Sequence, residues 1–178
     1  MTIGDFILEQ RKILDQLNRD NKPLRIAAQV SHVEASKRIF SDSEDVNGNK
    51  ITYKFPSGRS TPQGRPRPRK GAYSKAYAEF RDKKGRTQID MVDFTLEGDF
   101  RKDYMNSESE VVNTAKPLKI SPDEYQVQLK RSKDGISHAE LRDVFENSYY
   151  KTRIFTLSER EKEVFFETAE LELKKLLE

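Results

Sequence analysis

The sequence predicts an α+β fold in which a small, mostly antiparallel sheet is flanked by long N- and C-terminal helices. Apolar residues recur with helical spacing near both ends, over residues 3–19 and from Glu159 to about Leu176. Apolar and polar residues alternate strictly over residues 125–130, which is typical of a strand. A length of 178 residues suits one domain, so residues 1–178 are assigned to a single structural domain.

Two helices are predicted before the first turn. The apolar side of the first, over residues 3–19, consists of Ile3, Ile7, Leu14 and Leu17. The second, over residues 23–40, carries a stripe of mostly small residues, which are Leu24, Ala28, Ala35 and Ile39. His32 lies on this stripe, and we interpret it as a half-buried packing residue.

Short elements are predicted between these helices and the C-terminal one. An Asn47-Gly48 turn precedes an alternating segment over residues 51–55, which predicts a strand. A helix is expected from Tyr73 until the Lys83-Lys84-Gly85 stop signal, followed by a short strand around residues 89–91. Further helices are predicted from residue 96 and over residues 137–146, with His138 exposed near the start of the latter.

Charge is distributed unevenly along the chain. Hydrophobic residues make up 34% and charged residues 35% of the sequence, which predicts a modest core. Between Val46 and Ala78 there are eight Lys or Arg and no Asp or Glu. The net charge of the whole chain is +3, so the remainder carries 3 − 8 = −5. One basic segment therefore belongs to an otherwise acidic protein.

The basic segment contains an arm over residues 58–71 that is rich in Arg, Pro and Gly. Alternating Arg and Pro favours a solvated polyproline II conformation over regular structure. Its predicted partner-binding side chains are Arg59, Arg65, Arg67, Arg69 and Lys70. Two interpretations stay open: an arm that is ordered by a partner, with DNA contact as one version, or a solvated loop.

The C-terminal helix is predicted to serve both folding and assembly. Ser158 and Glu161 have the spacing of a capping box at its start. Its apolar side is broad enough for its own core and for a neighbouring subunit. The predicted assembly residues are Phe165, Phe166, Leu173 and Leu177.

The sequence carries no pattern that predicts an enzyme, a cofactor or a metal. The absence of Cys excludes disulfides, thiol catalysis and Cys-ligated metal. His32 and His138 have no local partners that suggest catalysis. The carboxylates of the acidic loop over residues 41–45 alternate as in a Ca²⁺ site, but Gly and Glu are missing at the sixth and twelfth positions, which argues against one. No apolar run approaches a membrane span, and residues 1–6 lack a signal-peptide pattern.

Two separated motifs carry a resemblance to a known family. Residues 94–101 read Phe-Thr-Leu-Glu-Gly-Asp-Phe-Arg, similar to a Leu-Thr-Gly-Asp-Leu-Arg motif that opens a helix. Residues 153–163 contain Ile-Phe-Thr-Leu-Ser and then Glu at two alternate positions, similar to the start of a C-terminal helix. Both motifs, in this order, resemble the tail-completion or virion-morphogenesis proteins of tailed bacteriophages. The resemblance spans roughly residues 35–169.

The resemblance implies a structural subunit at the neck of a virion, where head and tail join. Such a subunit would form a homo-oligomeric ring of six or twelve around the DNA channel, assembled in the cytoplasm of the bacterial host. Its partners would be other neck, portal-side or tail-tube proteins, with possible contact to packaged DNA and none to membranes. The alternative is a nucleic-acid-binding module that uses the basic arm without reading sequence.

Overall fold

The computed structural model describes residues 3–20, 22–54, 69–94, 99–106, 109–111, 122, 125–127, 129, 132–133 and 136–177. Six α-helices lie in this part of the chain: α1 (Ile3–Asp20), α2 (Lys22–Lys37), α3 (Lys75–Lys83), α4 (Asp99–Asn106), α5 (His138–Val144) and α6 (Glu159–Leu177). Helices α2 and α5 each continue into a π-helical turn, Arg38–Asp42 and Phe145–Tyr150.

The strands are short and lie in pairs. They are β1 (Arg69–Lys70), β2 (Tyr73–Ser74), β3 (Ser109–Val111), β4 (Tyr125–Val127), β5 (Ser132–Lys133) and β6 (Ile136–Ser137). Strand β1 pairs with β2 and β5 with β6, both antiparallel, and β3 pairs with β4. The predicted α+β class with long terminal helices is therefore confirmed.

The described residues fall into two compact units. The first contains Met1–Glu34, Glu108–Gln126 and Leu157–Glu178, and the second contains Ala35–Ser107 and Val127–Thr156. The assignment of residues 1–178 to one domain stays a prediction.

Helices α2 and α6 form the core of the first unit. Its buried cluster consists of Ala27, Ala28, Phe165 and Ala169, with Leu24 packed against it. The small side chains of Ala27 and Ala28 on α2 pack with the Phe165 ring and Ala169 of α6 in this cluster. The Ser31 hydroxyl donates a hydrogen bond to the carbonyl of Glu161 at 3.1 Å, which adds a polar link between the two helices.

Capping of α6 follows the predicted box. The Glu161 carboxylate accepts a hydrogen bond from the Ser158 backbone N–H at 2.7 Å, and the Ser158 hydroxyl accepts one from the Glu161 N–H at 3.3 Å. Two backbone donors at the start of the helix are satisfied in this way.

The predicted strand after the Asn47-Gly48 turn is not formed over Ile51–Lys54, and Phe55 lies outside the described residues. The backbone N–H groups of this segment donate to three separate parts of the chain, whereas a strand would donate to one neighbouring strand. The N–H of Ile51 donates to Ser43, that of Tyr53 to Ala72 and that of Lys54 to Tyr149. Alternation of apolar and polar residues cannot predict these separate hydrogen bonds, because it indicates only which side chains prefer burial. The short strand predicted around residues 89–91 is also irregular.

Other local predictions are confirmed with shifted boundaries. Gly48 and Gly85 have φ values of 76° and 73°, as a tight turn and a helix end require. Helix α3 begins at Lys75, two residues later than Tyr73, and is capped by the Ser74 hydroxyl. Helix α4 begins at Asp99, and residue 96, where a helix start was predicted, lies outside the described residues.

Candidate functional site

A buried polar network in the second unit joins β2 and α3 to the irregular segment that precedes Phe94. The Arg81 guanidinium, 1% exposed, donates to both oxygens of Asp93: Nη1 to Oδ1 at 3.0 Å and Nη2 to Oδ2 at 2.9 Å. It also lies 4.6 Å from the ring centroid of Tyr73. The Tyr73 hydroxyl in turn donates to Asp93 Oδ1 and accepts from the Asp93 N–H, both at 3.0 Å. This pairing offsets the cost of burying the charges.

The Tyr73 phenol stays neutral in this network. Burial raises its pKa above the ordinary value of 10.0, and the nearby Asp93 carboxylate adds to the effect more than the Arg81 cation reduces it. The hydroxyl therefore acts as a hydrogen-bond donor, which suits a structural role.

The two motifs that carry the family resemblance meet in an aromatic cluster. Phe155 of the downstream motif lies 5.4 Å, centroid to centroid, from both Phe94 and Phe100 of the upstream motif. Tyr104 lies 5.7 Å from the same ring. Phe145, Tyr150 and Phe40 complete the cluster. Segments more than 50 residues apart in sequence thus share one core (roughly 1 kcal/mol per ring pair beyond area burial).

Phe94 adopts an unusual backbone conformation at the centre of this cluster. Its φ of 53° lies in the left-handed region, which is strained for a bulky side chain. The ring packs near five others, and these contacts hold the backbone in place. No sequence signal predicts this, because Phe has no preference for positive φ.

Arg38 connects the first π-helical turn to the downstream motif. The guanidinium donates from Nη2 to the carbonyls of Ile154 and Thr156, at 3.1 and 2.9 Å, and from Nη1 to that of Glu44 at 2.9 Å. Because these carbonyl groups belong to irregular backbone, the Arg38 side chain supplies hydrogen bonds that a neighbouring strand would otherwise provide. Sequence reasoning missed this residue.

Two carboxylates, those of Asp45 and Glu146, accept hydrogen bonds from residues 152–155, in and next to the downstream motif. Asp45 accepts from the Thr152 hydroxyl at 2.7 Å and from the backbone N–H groups of Asn47 and Asn49. Glu146 accepts from the N–H groups of Ile154 and Phe155, at 2.6 and 2.8 Å. Asp45 is the last residue of the acidic loop over residues 41–45, and it serves as an internal hydrogen-bond acceptor.

His138 is buried, so the prediction that it is exposed was wrong. Its side chain is 3% exposed, and Nδ1 lies 2.8 Å from Oδ2 of Asp103 on α4. Its ring also packs edge-on against Phe100, centroid to centroid 5.6 Å. The partner is 35 residues away in sequence, which is why local reasoning could not find it. His32, which was predicted to be a half-buried packing residue, is buried more completely, with 7% of its surface exposed.

The predicted arm is described only at its end. Arg59, Arg65 and Arg67 lie outside the described residues. Arg69 and Lys70 are exposed and form β1, which differs from the prediction that residues 58–71 lack regular structure. The turn to β2 is possible because Gly71 adopts a φ of 63°.

The predicted assembly residues of α6 separate into different environments. Phe165 is 1% exposed and belongs to the core, whereas the next residue, Phe166, is 58% exposed. Leu173 is half-buried, and Leu177 is a residue whose side chain is not described. The adjacent Phe residues thus face a core and a free surface.

The described residues show no sign of a metal site or of a membrane-spanning helix. Within them no group of three or more His, Asp or Glu side chains has the geometry to hold a metal ion. No helix in the same part of the chain is both long and apolar enough to cross a bilayer. The chain matches no protein-family model, no curated protein and no solved structure in the three comparisons.

Proposed function

We propose that the chain is a structural virion subunit of a tailed bacteriophage, a neck or tail-completion protein. It forms a ring of six or twelve copies at the head–tail junction, around the DNA channel, and is assembled in the host cytoplasm. Its partners are copies of itself and neck, portal-side or tail-tube proteins, with possible contact to packaged DNA and none to membranes. Its activity is association, without catalysis or a cofactor.

One observation carries the proposal. The two motifs of the resemblance are distant in sequence, and their aromatic residues meet around Phe155. A chance likeness of two segments gives no reason for them to pack together, whereas a shared fold does. Their polar residues are consistent with a packing role, since Arg38 and Glu146 bind backbone of the downstream motif.

Exposed apolar side chains support self-association. On α1 they are Ile7, Leu8 and Leu14, on α2 they are Val30 and Val33, and on α6 they are Phe166 and Leu171. A protein with 34% hydrophobic residues that leaves these exposed has surface to bury against neighbours.

Location of the subunit in virions tests the proposal. Phage that lack the chain should accumulate filled heads and complete tails that do not join, and the supplied protein should restore joining. A tagged subunit should be found at the neck by electron microscopy. Normal joining without the chain, or its absence from the neck of purified particles, would contradict the proposal.

A second candidate, non-specific nucleic-acid binding, is favoured by the exposed cations Arg69 and Lys70. Binding of the isolated protein to duplex DNA should weaken steeply with salt. Replacing both cations by Gln should lower the salt dependence by about one counterion per lost phosphate contact. DNA binding that is absent at 50 mM salt would remove this candidate, whereas neck location would be unaffected.

A further inference from the structure

Helix α6 carries an exposed stripe that combines acidic and apolar residues. Its members recur every three or four positions and so lie on one side of the helix. This acidic face consists of Glu163, Phe166, Glu167, Glu170 and Leu171, all exposed. Phe166 and Leu171 are each 58% exposed, which is unusual for large apolar side chains so close together.

The charges at the centre of the acidic face are not neutralised within the described chain. Glu170 pairs with Lys174 at 2.7 Å, an interaction that lowers the pKa of Glu170. Among the described residues neither Glu163 nor Glu167 makes an ion pair. Both are exposed and lie within one helical turn of the exposed Phe166. The face therefore offers two free carboxylates around an apolar centre.

A surface of opposite charge lies in the second unit. This basic ribbon consists of Lys54, Arg69 and Lys70, which are exposed and make no ion pair within the described residues. Their backbones are joined, because the N–H of Tyr53 donates to the carbonyl of Ala72 in the β1–β2 turn. The N–H of Lys54 donates to the carbonyl of Tyr149, whose side chain is 41% exposed. The ribbon thus combines cations with an aromatic ring.

The same contrast holds for the two units as wholes. The residue span of the second unit contains 22 Lys or Arg and 14 Asp or Glu, a net charge of +8. The residue span of the first unit contains 11 Lys or Arg and 16 Asp or Glu, a net charge of −5. Copies of the chain therefore attract one another when unlike units meet and repel when like units meet.

We infer that the acidic face of one copy docks on the basic ribbon of a second copy. Glu163 and Glu167 would pair with ribbon cations while Phe166 and Leu171 cover the apolar surface beside Tyr149. The contact joins different surfaces, so in a pair the first copy keeps a free basic ribbon and the second copy keeps a free acidic face. Repetition of such a contact closes a ring when the rotation allows. The inference deepens the proposed ring and rests on that proposal for the closure.

Charge exchange between copies tests the contact directly. One variant carries Glu163→Lys and Glu167→Lys, and the other carries Arg69→Glu and Lys70→Glu. Each variant alone should lose self-association by about 100-fold or more, because like charges then face each other. An equimolar mixture should recover it to within roughly tenfold of the wild type, because the reversed surfaces complement each other across copies. Sedimentation velocity at low salt measures the oligomer size of the wild type, of each variant and of the equimolar mixture.

Matched controls separate this contact from general effects of charge. Glu9→Lys on α1 and Lys102→Glu on α4 reverse exposed charges outside both surfaces and should leave association within about twofold of the wild type. Circular dichroism of every variant should show the wild-type helix content, so that lost association is not lost folding.

Three outcomes would overturn the inference. They are a wild-type chain that stays monomeric at high concentration, a mixture that is no more associated than the separate variants, and a ribbon variant that loses DNA binding at unchanged oligomer size. These results leave the proposed function standing if the subunit is found at the neck. Conversely, salt-sensitive assembly by a chain absent from virions supports the contact and contradicts only the proposed function.

Discussion

Arg81 and Asp93 form a two-point ion pair in the second unit, with Nη1–Oδ1 and Nη2–Oδ2 distances of 3.0 and 2.9 Å. The Arg81 side chain is almost fully enclosed, and that of Asp93 is 19% exposed. The pair joins α3 to the segment just before Phe94, where the upstream motif begins. It therefore connects local helix formation to the aromatic cluster.

Removal of one partner from this pair should destabilise the protein strongly. Arg81→Met removes the cation that pairs with Asp93, although the Tyr73 hydroxyl still donates to this carboxylate, and we expect a loss of about 3–5 kcal/mol in the free energy of unfolding. Adding Asp93→Asn to Arg81→Met should cost less than the sum of the single changes, because the stranded charge is then gone. Urea denaturation of the four proteins measures the coupling, and additive losses would contradict the pairing.

The neighbouring residues Phe165 and Phe166 provide a matched comparison within one helix. Phe165→Ala removes a ring from the core between α2 and α6 and should cost ~3–5 kcal/mol. Phe166→Ala removes an exposed ring and should change the free energy of unfolding by no more than ~0.5 kcal/mol. Helix propensity changes equally in both. Thermal unfolding of monomeric samples distinguishes them, and similar losses would show that the two environments are not different.

Gly71 and Gly48 should respond differently to the same substitution. Both have positive φ, 63° and 76°. A Cβ at Gly71 would lie 2.2 Å from the Ile89 carbonyl oxygen, whereas at Gly48 nothing lies within 4 Å. Gly48→Ala should cost ~1–2 kcal/mol of backbone strain, and Gly71→Ala should cost clearly more.

The reason for the larger cost is that the Ala72 N–H donates to the same Ile89 oxygen at 2.7 Å. Any shift that accommodates the new methyl group breaks this hydrogen bond. Chemical denaturation of the two variants in parallel gives the difference, and equal losses would argue against the close approach at Gly71.

Asp45 should make stability depend on pH in the acid range. Burial by itself raises the pKa of this carboxyl, but hydrogen bonds from Thr152 and from the N–H groups of Asn49 and Asn47 outweigh it. The folded pKa is therefore below the ordinary value of 3.8. Because the folded pKa is lowered, the stabilisation is present above the unfolded pKa and is lost as pH falls through the folded pKa.

Asp45→Asn should accordingly cost about 1–3 kcal/mol at neutral pH. The difference from the wild type should shrink as the pH falls below ~4, because the wild-type carboxyl is then protonated as well. Urea denaturation of both proteins at a series of pH values from 7 to 3 measures this difference in the free energy of unfolding. A difference that is constant over this range would show that the Asp45 charge is not responsible, and Asp90→Asn, at an exposed position, serves as the control.

Local interactions explain what could be predicted from the sequence. The α6 capping box at Ser158 and Glu161, the Gly48 turn and the α3 stop at Gly85 depend on residues within about four positions of one another. The charge contrast is likewise a property of composition. Helical periodicity near both ends and strict alternation over residues 125–130 predicted the α+β class with long terminal helices, and the run of cations predicted Arg69 and Lys70 as candidate partner-binding residues.

Tertiary structure alone decided the remaining features, because each depends on partners distant in sequence. His138 can be buried because Asp103, on another helix, lies within hydrogen-bonding distance of its Nδ1, at 2.8 Å. The segment Ile51–Lys54 is not a strand since its donors find three separate acceptors. Phe94 holds a positive φ because surrounding rings compensate for the strain. Periodicity reports which side chains prefer burial, but only the folded chain determines which partners they meet.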